Sequence, residues 1–431
     1  MHSPSYKTLL AGILTALLCA NSQTRAEAIR VELVKSGDNW QLMRDGKPFF
    51  IKGVGTTDES QLPSIKAAGG NSVRLWGTDS AQTTLDAAQK LGLTVAVGIW
   101  LHHEKDTEGF SYDNEQMVKD QLEQVKQQVL RFKDHPAVLL WGIGNEMENI
   151  NGGKNSKIWI AVNEAAKLVK QLDPNHPTMT VIAEVGGEKI PNFNKYCPDV
   201  DILGLNTYAG ASSIGERYAK LNGTKPYIIT EFGPFGAWEV GKTSWGAPLE
   251  PTSTAKAETY RKSYKGSVAQ TPLSLGSYAF LWGRKQETTC TWYGMFLKSG
   301  EKVGAVDVIT GLWTGKAPAD LCPVINELRI TGPTTVAPEA TFTVTLDAAD
   351  PANKPLTVQW VVQPEQTIRL GDGAEEPELP ELTSSIVKSD NTHAEVRAPK
   401  QAAGYRVFAY VRNGKGAAVA NVPFLVESAK K

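Results

Sequence analysis

The sequence predicts a closed (β/α)8 TIM barrel followed by a smaller all-β Ig-like sandwich, and three observations carry that reading. Short apolar runs alternate with helical stretches eight times between Phe49 and Leu281, the pattern of a parallel sheet covered by helices. From about Gly332 the period becomes two: Phe342, Val344 and Leu346 alternate with Thr343 and Thr345, and Val358, Trp360 and Val362 repeat it, as half-buried antiparallel strands do. No Gly-rich phosphate loop follows the first apolar run, so the competing doubly wound nucleotide-binding sheet loses its main support.

The chain of 431 residues is 41% hydrophobic and 21% charged, with a formal net charge of −1. That suits one large and one small globular domain and gives no reason to expect nucleic acid or an anionic membrane as partner. Lys7 precedes the apolar run Leu9 to Leu18, and Ala26-Glu27-Ala28 offers a small-x-small cleavage site. Residues 1–28 therefore read as a secretory signal, and the protein as exported, periplasmic or extracellular. Lipidation at Cys19 is disfavoured by Leu18, where a small residue is expected. The apolar run is too short to span a bilayer, and no later run is long enough, so no membrane insertion is expected. Cys197, Cys290 and Cys322 remain after the signal. An exporting cell permits a Cys290–Cys322 disulfide, and three free thiols are the alternative. No Cys/His spacing resembles a zinc site, and neither metal nor cofactor is expected.

In chain order, residues 29–47 form a capping hairpin, with Arg30 to Val34 and Trp40 to Met43 flanking the turn Lys35-Ser-Gly-Asp-Asn39. The barrel takes residues 48–331. Its strands are expected at Phe49–Val54, Ser72–Leu75, Thr94–Ile99, Val138–Gly142, Thr180–Ala183, Ile202–Leu205, Tyr227–Thr230 and Ser277–Leu281. Helical spacing is clearest between Asp113 and Lys133, where Val118, Leu122, Val125, Val129 and Phe132 share a face. A second helix runs from Ser156 to Leu172 and stops at Asp173-Pro174. The sandwich takes residues 332–431, with Asn413-Gly414 as a hairpin turn. It reads as a stabilising spacer or a carbohydrate-binding module.

Chemistry in such a barrel sits at the C-terminal ends of its strands. Those ends carry Arg74-Leu-Trp76, Trp100-Leu-His102-His103-Glu104, Asn145-Glu146, Glu184, Asn206-Thr-Tyr208, Glu231-Phe-Gly-Pro and Trp282-Gly-Arg284. Trp76, Trp100, Trp238, Trp245, Trp282, Trp292 and Trp313 are expected at or just beyond them, and flat sugar faces stack well on indole rings. Two carboxyls, Glu146 and Glu231, project into one mouth from strands four and seven. Glycoside hydrolysis needs such a pair, one protonated as acid and one ionised. Arg74 and Tyr208 are placed to donate hydrogen bonds to Glu231 and keep it charged. Taken alone, Asn145-Glu146 also reads as a helix cap beside a solvated carboxylate.

The runs Phe49-Phe-Ile-Lys-Gly-Val54, Ser72-Val-Arg-Leu75, Trp141-Gly-Ile-Gly-Asn-Glu146, Ile229-Thr-Glu-Phe-Gly233 and Phe280-Leu-Trp282 resemble the retaining glycoside hydrolases with Asn-Glu after strand four and Glu after strand seven. These include the family 2 barrel, family 5 glucanases and mannanases, and bacterial endo-β-1,3-glucanases carrying an Ig-like C-terminal domain. The resemblance implies Glu146 as acid/base, Glu231 as nucleophile, Asn145 on the 2-hydroxyl, Arg74 and Tyr208 supporting the nucleophile, and Trp282 under the cleaved sugar. Trp76, Trp100, Asn206, Trp238 and His102 or His103 complete the candidate sugar contacts. No jelly-roll domain precedes the barrel, which departs from family 2 exo-enzymes. The expected partner is a β-linked oligo- or polysaccharide. Endo-action on a β-glucan, favouring the β-1,3 linkage, is the leading expectation. Transglycosylation, mannanase or exo-glycosidase action, and a noncatalytic glycan-binding barrel are the alternatives.

Overall fold

The computed structural model describes residues 27–104, 109–269, 271–370 and 373–427; the expected signal segment falls almost wholly outside them. Eight parallel strands close into a barrel: β1 (Ile51–Gly55), β2 (Ser72–Arg74), β3 (Thr94–Ile99), β4 (Val138–Asn145), β5 (Thr178–Ala183), β6 (Ile202–Asn206), β7 (Tyr227–Phe232) and β8 (Ser274–Ala279). Most of their residues are buried, as expected for a sheet with filled interior and covered outer face. The helices are α1 (Leu62–Ala67), α2 (Ala81–Leu91), α3 (Glu115–Phe132), α4 (Ser156–Leu172), α5 (Lys189–Tyr196), α6 (Ile214–Lys220), α7 (Ser253–Ser267) and α8 (Gly304–Thr314). Their starts are written locally. Asn114 accepts from the amides of Gln116 and Met117, Asn155 from Lys157, and Thr252 from Ala255, which satisfies first-turn donors that have no intrahelical partner. None of the described helices is long and apolar enough to cross a membrane.

The strands Val31–Ser36, Asn39–Arg44 and Lys47–Pro48 form an antiparallel sheet below the barrel. Val31 and Leu42 pack on Ile51, Leu139 and Ile202 at the strand starts, and the amides of Val31 and Trp40 donate to the carbonyls of Asn175 and Pro272 in the bottom loops. The end away from the glutamates is thereby closed.

Beyond the barrel, β9 (Val324–Thr331), β10 (Thr335–Val336), β11 (Thr341–Ala349), β12 (Thr357–Pro364), β13 (Ile386–Ser389), β14 (His393–Arg397), β15 (Gly404–Arg412) and β16 (Ala417–Val426) build two four-stranded sheets, ordered 9-11-14-13 and 10-16-15-12. Phe342, Val344 and Val396 of one sheet meet Trp360, Val407 and Phe424 of the other in one core. This is the expected Ig-like sandwich, down to a Tyr405 hydroxyl that donates back to the Gln401 carbonyl at 3.0 Å. Cys197, Cys290 and Cys322 are all free thiols. The Cys290–Cys322 pairing is therefore corrected: Cys290 Sγ lies 3.5 Å from the Tyr410 hydroxyl, while Cys322 Sγ donates to the Lys302 carbonyl at 3.4 Å.

The sandwich is joined to the barrel through buried polar groups. Arg406, 1% exposed, donates to both carboxylate oxygens of Glu365 at 2.7 and 2.8 Å, to Asn421 Oδ1 and to the Pro248 carbonyl. Asn421 in turn donates to Glu250, which also pairs with Lys256 and accepts from Thr289 and Thr291 in the loop after β8. Removing one partner of a buried pair leaves the other desolvated, at about 3–5 kcal/mol. Arg406→Ala is thus expected to lower the urea midpoint by that much stability, and an unchanged midpoint would contradict this account of the seam.

Candidate active site

Two β-bulges set up the site. The β4–β5 register shifts between Ile143 and Asn145, and the β6–β7 register shifts between Ile229 and Glu231. A bulge bends its strand and re-aims the side chains that follow, so each candidate carboxyl leaves the barrel wall toward the mouth. Gly144 and Glu146 both take left-handed backbone, with φ of +70° and +55°, uncommon for a glutamate and a conformation that clusters at functional sites. On the neighbouring β3, a Cβ on Gly98 would lie 2.4 Å from the Trp76 backbone. Only glycine lets the loop after β2 lie so close.

Glu231 is 7% exposed and receives four donors. Its Oε1 accepts from Arg74 Nη1 at 2.9 Å, Trp76 Nε1 at 2.8 Å and Asn206 Nδ2 at 3.0 Å; its Oε2 accepts from the Tyr208 hydroxyl at 2.9 Å. Burial, together with the charge of Glu231, holds the Tyr208 phenol well above its ordinary value, so it stays a donor. Arg74 is 3% exposed and also donates to the Thr230 carbonyl and to Asn145 Oδ1, the latter at 2.7 Å. That bond fixes the Asn145 amide with its oxygen inward, and its NH2 has no acceptor among the described residues.

Asn206 joins the two carboxyls. Its Nδ2 lies 2.7 Å from Glu146 Oε1 and 3.0 Å from Glu231 Oε1. One amide group thus spans the nearest oxygens of the two carboxyls, a close approach of the kind retaining pairs show at ~5–5.5 Å. Thr230 Oγ1 donates to Asn206 Oδ1 at 2.7 Å and sets the amide's orientation. The Glu146 carboxyl is pushed up to about 7, first by burial and then by the nearby charge of Glu231, with Asn206 pulling it back. A proton held near neutral pH beside a carboxylate gripped by four donors is an acid paired with an anion.

The remaining candidates separate. Trp76 is half-buried and bonded to Glu231, while Trp100 and Trp238, 43% and 64% exposed, stand on the loops after β3 and β7, on opposite sides of the mouth. Trp238 meets the Tyr208 ring edge-on at 5.9 Å. His103 lies behind the site: its Nε2 is 2.7 Å from the Asn145 carbonyl, and its ring stacks on Trp100. The His102 ring packs on Phe110. His103 thus supports Asn145 and Trp100, and His102 packs beside Phe110.

Trp282 needs a full correction. It is 1% exposed, donates to Ser64 Oγ and stacks on Trp313, so it belongs to the barrel wall. The reason is that β8 ends at Ala279, two residues before the expected end. Phe280 is then the first residue past the strand, and its ring packs edge-on against Trp76, Tyr208 and Tyr293. Trp292 and Trp313 are also buried, which thins the expected tryptophan rim. Phe280 entered the sequence reading only within the run Phe280-Leu-Trp282, and Tyr293 not at all; its signal is the aromatic-rich stretch from Gly283 to Gly315. Glu184, at the end of β5, is committed to Arg217 and Thr207. No cluster of three His, Cys, Asp or Glu suited to a metal occurs among the described residues.

Residues 65–264 match the family described as glycosyl hydrolases family 2, TIM barrel domain. The chain is 25% identical over 233 residues to a β-glucuronidase of Streptococcus agalactiae serotype V, covering 45% of this chain and 38% of the relative. It is 25% identical over 236 residues to the β-glucuronidase of Felis catus, covering 48% of this chain and 33% of that protein. It therefore spans little more than a third of these curated relatives. Among solved structures, the β-D-glucuronidase of Dictyoglomus thermophilum superposes with a TM-score of 0.53 at 21% identity, over 68% of this chain and 54% of that one, a likeness of fold. The endo-β-1,3-glucanase branch of the expected resemblance has no support among these matches. The barrel of this chain is thus similar to the glycosyl hydrolases family 2 TIM barrel.

Proposed function

We propose that the protein is a retaining β-glycoside hydrolase in which Glu231 is the nucleophile and Glu146 the acid/base. The single observation that carries this is the Asn206 amide lying within hydrogen-bond reach of both carboxyls, an approach that suits the ~5–5.5 Å spacing of a retaining pair. Glu231 attacks the anomeric carbon as Glu146 gives its proton to the departing glycosidic oxygen; the C–O bond breaks and a glycosyl ester forms. Esterification removes the Glu231 charge, the second cause of the raised Glu146 pKa. Glu146 thereby becomes a stronger acid and rests as the carboxylate that can deprotonate water. That water attacks the anomeric carbon from the face the leaving group vacated, which frees Glu231 and restores the β configuration. The Asn145 NH2 is the donor available to the sugar hydroxyl beside the reacting carbon.

Endo-action on a β-glucan, with the β-1,3 linkage favoured, is the finer part of this reading. Exposed indoles on opposite sides of the mouth suit a chain that continues both ways from the cleaved bond. The relatives' names favour a second reading, exo-action on a β-glucuronide. Purified enzyme should be screened on laminarin, mannan, cellulose-type, mixed-linkage and β-1,2 glucans, with product sizing and proton NMR of the first-formed anomer. A β-anomer first is expected, and an α-anomer first would exclude the double displacement. Oligosaccharides longer than the substrate at high concentration would point to transglycosylation. Trp238→Ala is expected to raise KM on the polymer by about 5–50-fold, a lost stacking contact of roughly 1–2 kcal/mol, with kcat little changed.

A further inference from the structure

The loop after β8 carries an ion pair that the double displacement does not use. Lys285 Nζ lies 3.0 Å from Glu287 Oε2, and both side chains are largely buried, at 13% and 18% exposure. The Lys285 ammonium sits 5.0 Å above the Phe280 ring, and Phe280 packs on Trp76 and Tyr208, two of the donors to Glu231. Burial lifts the Glu287 carboxyl, Lys285 pulls it back, and the charges of Glu376 and Glu231 push it up again. The pair therefore lies within electrostatic reach of the nucleophile.

The sandwich holds it there. Glu376 accepts from the Thr288 amide at 2.7 Å and donates its own amide to the Gln286 carbonyl at 2.8 Å. A Cβ on Gly373 would stand 3.1 Å from Lys285 Nζ. Glu376 and Gly373, between β12 and β13, thus hold the Lys285–Thr288 turn from the sandwich side.

We propose that the Lys285–Glu287 pair determines which sugar is accepted beside Glu231, selecting an uncharged sugar and rejecting a uronic acid. A sugar carboxylate needs a cation to replace its water. Four cations at the mouth each face a carboxylate: Arg74 on Glu231, Arg217 on Glu184, Arg284 on Glu378 and Lys285 on Glu287. A uronate here would meet Glu287 and Glu231 as like charges, whereas hydroxyls can donate to Glu287 and accept from Lys285. Rejection by repulsion is a common source of specificity.

This inference rests on the hydrolase reading, so its test has a catalytic and a binding arm. Wild type and Glu287→Gln are assayed on neutral aryl β-glycosides (glucoside, mannoside, galactoside) and on the aryl β-glucuronide. Wild type is expected to cleave a neutral glycoside at least about 100-fold better than the glucuronide. Glu287→Gln, which frees Lys285 and removes the repelling charge, should raise the glucuronide-to-neutral ratio of kcat/KM by about 10-fold. Adding Lys285→Met should abolish that gain. An equal or better wild-type rate on the glucuronide, or a ratio unmoved by Glu287→Gln, overturns the proposal. If neither these aryl glycosides nor any of the glucan polymers is cleaved, the hydrolase reading fails by itself, and tryptophan-fluorescence titration with laminaribiose and with glucuronic acid decides the inference: tighter binding of the neutral sugar supports it, and equal or weaker binding overturns it.

Discussion

Glu231→Ala is expected to lower kcat by on the order of 10⁴–10⁶-fold, the loss typical of removing a nucleophile that forms a covalent intermediate. The fold should survive, because the substitution leaves Arg74 with the Thr230 carbonyl and Asn145 Oδ1 as acceptors. The space vacated lies under the anomeric carbon, so a small anion can take over the attack. Azide added to Glu231→Ala should restore turnover of an activated aryl β-glycoside and give the α-glycosyl azide, because one displacement inverts the carbon. A variant that retains wild-type activity on every β-glycoside cleaved would show that the nucleophile has been misassigned. Rescue that yields the β-azide would place azide on the wrong face and do the same.

Glu146 governs the second large effect. With its carboxyl pushed up to about 7 by burial and by Glu231, it holds a proton below that pH and loses it above. The log of kcat/KM should therefore bend downward as pH rises through about 7, the apparent value belonging to the coupled pair. Glu146→Ala removes this limb. It should cost about 10²–10⁴-fold on substrates whose leaving oxygen needs the proton, and far less on a dinitrophenyl glycoside. With that substrate the glycosyl-enzyme still forms, and azide should intercept it to give the β-azide, opposite to the Glu231→Ala product. A basic limb that persists in Glu146→Ala would assign the titration to another group.

The eight strands, the change of period near Gly332 and the Asn145-Glu146 and Glu231 strand ends were all legible along the chain, because buried parallel strands and half-buried antiparallel ones write different apolar patterns. The floor of the mouth was not. Phe280 and Trp282 are two residues apart in one apolar run, and no local pattern says where β8 ends. The strand starts earlier than expected, with the polar Ser274 and Ser277 both buried in the wall, and ends at Ala279. The place of His103 was not legible either: a strand-end position predicts the mouth, and the ring bonds the Asn145 carbonyl.

By itself the sequence determined the barrel, the sandwich and the two carboxyls, since each is a matter of residue type at a repeating spacing. Only the tertiary structure decided how those carboxyls are held. Two bulges aim them, Asn206 ties them together, four donors from strands two, six and their loops meet Glu231, and burial raises Glu146. The contact of the sandwich with the loop after β8 was also decided there, through Glu376 and the Thr288 amide. Charge at a site depends on distances between segments far apart in the chain, and those distances exist only once the barrel has closed.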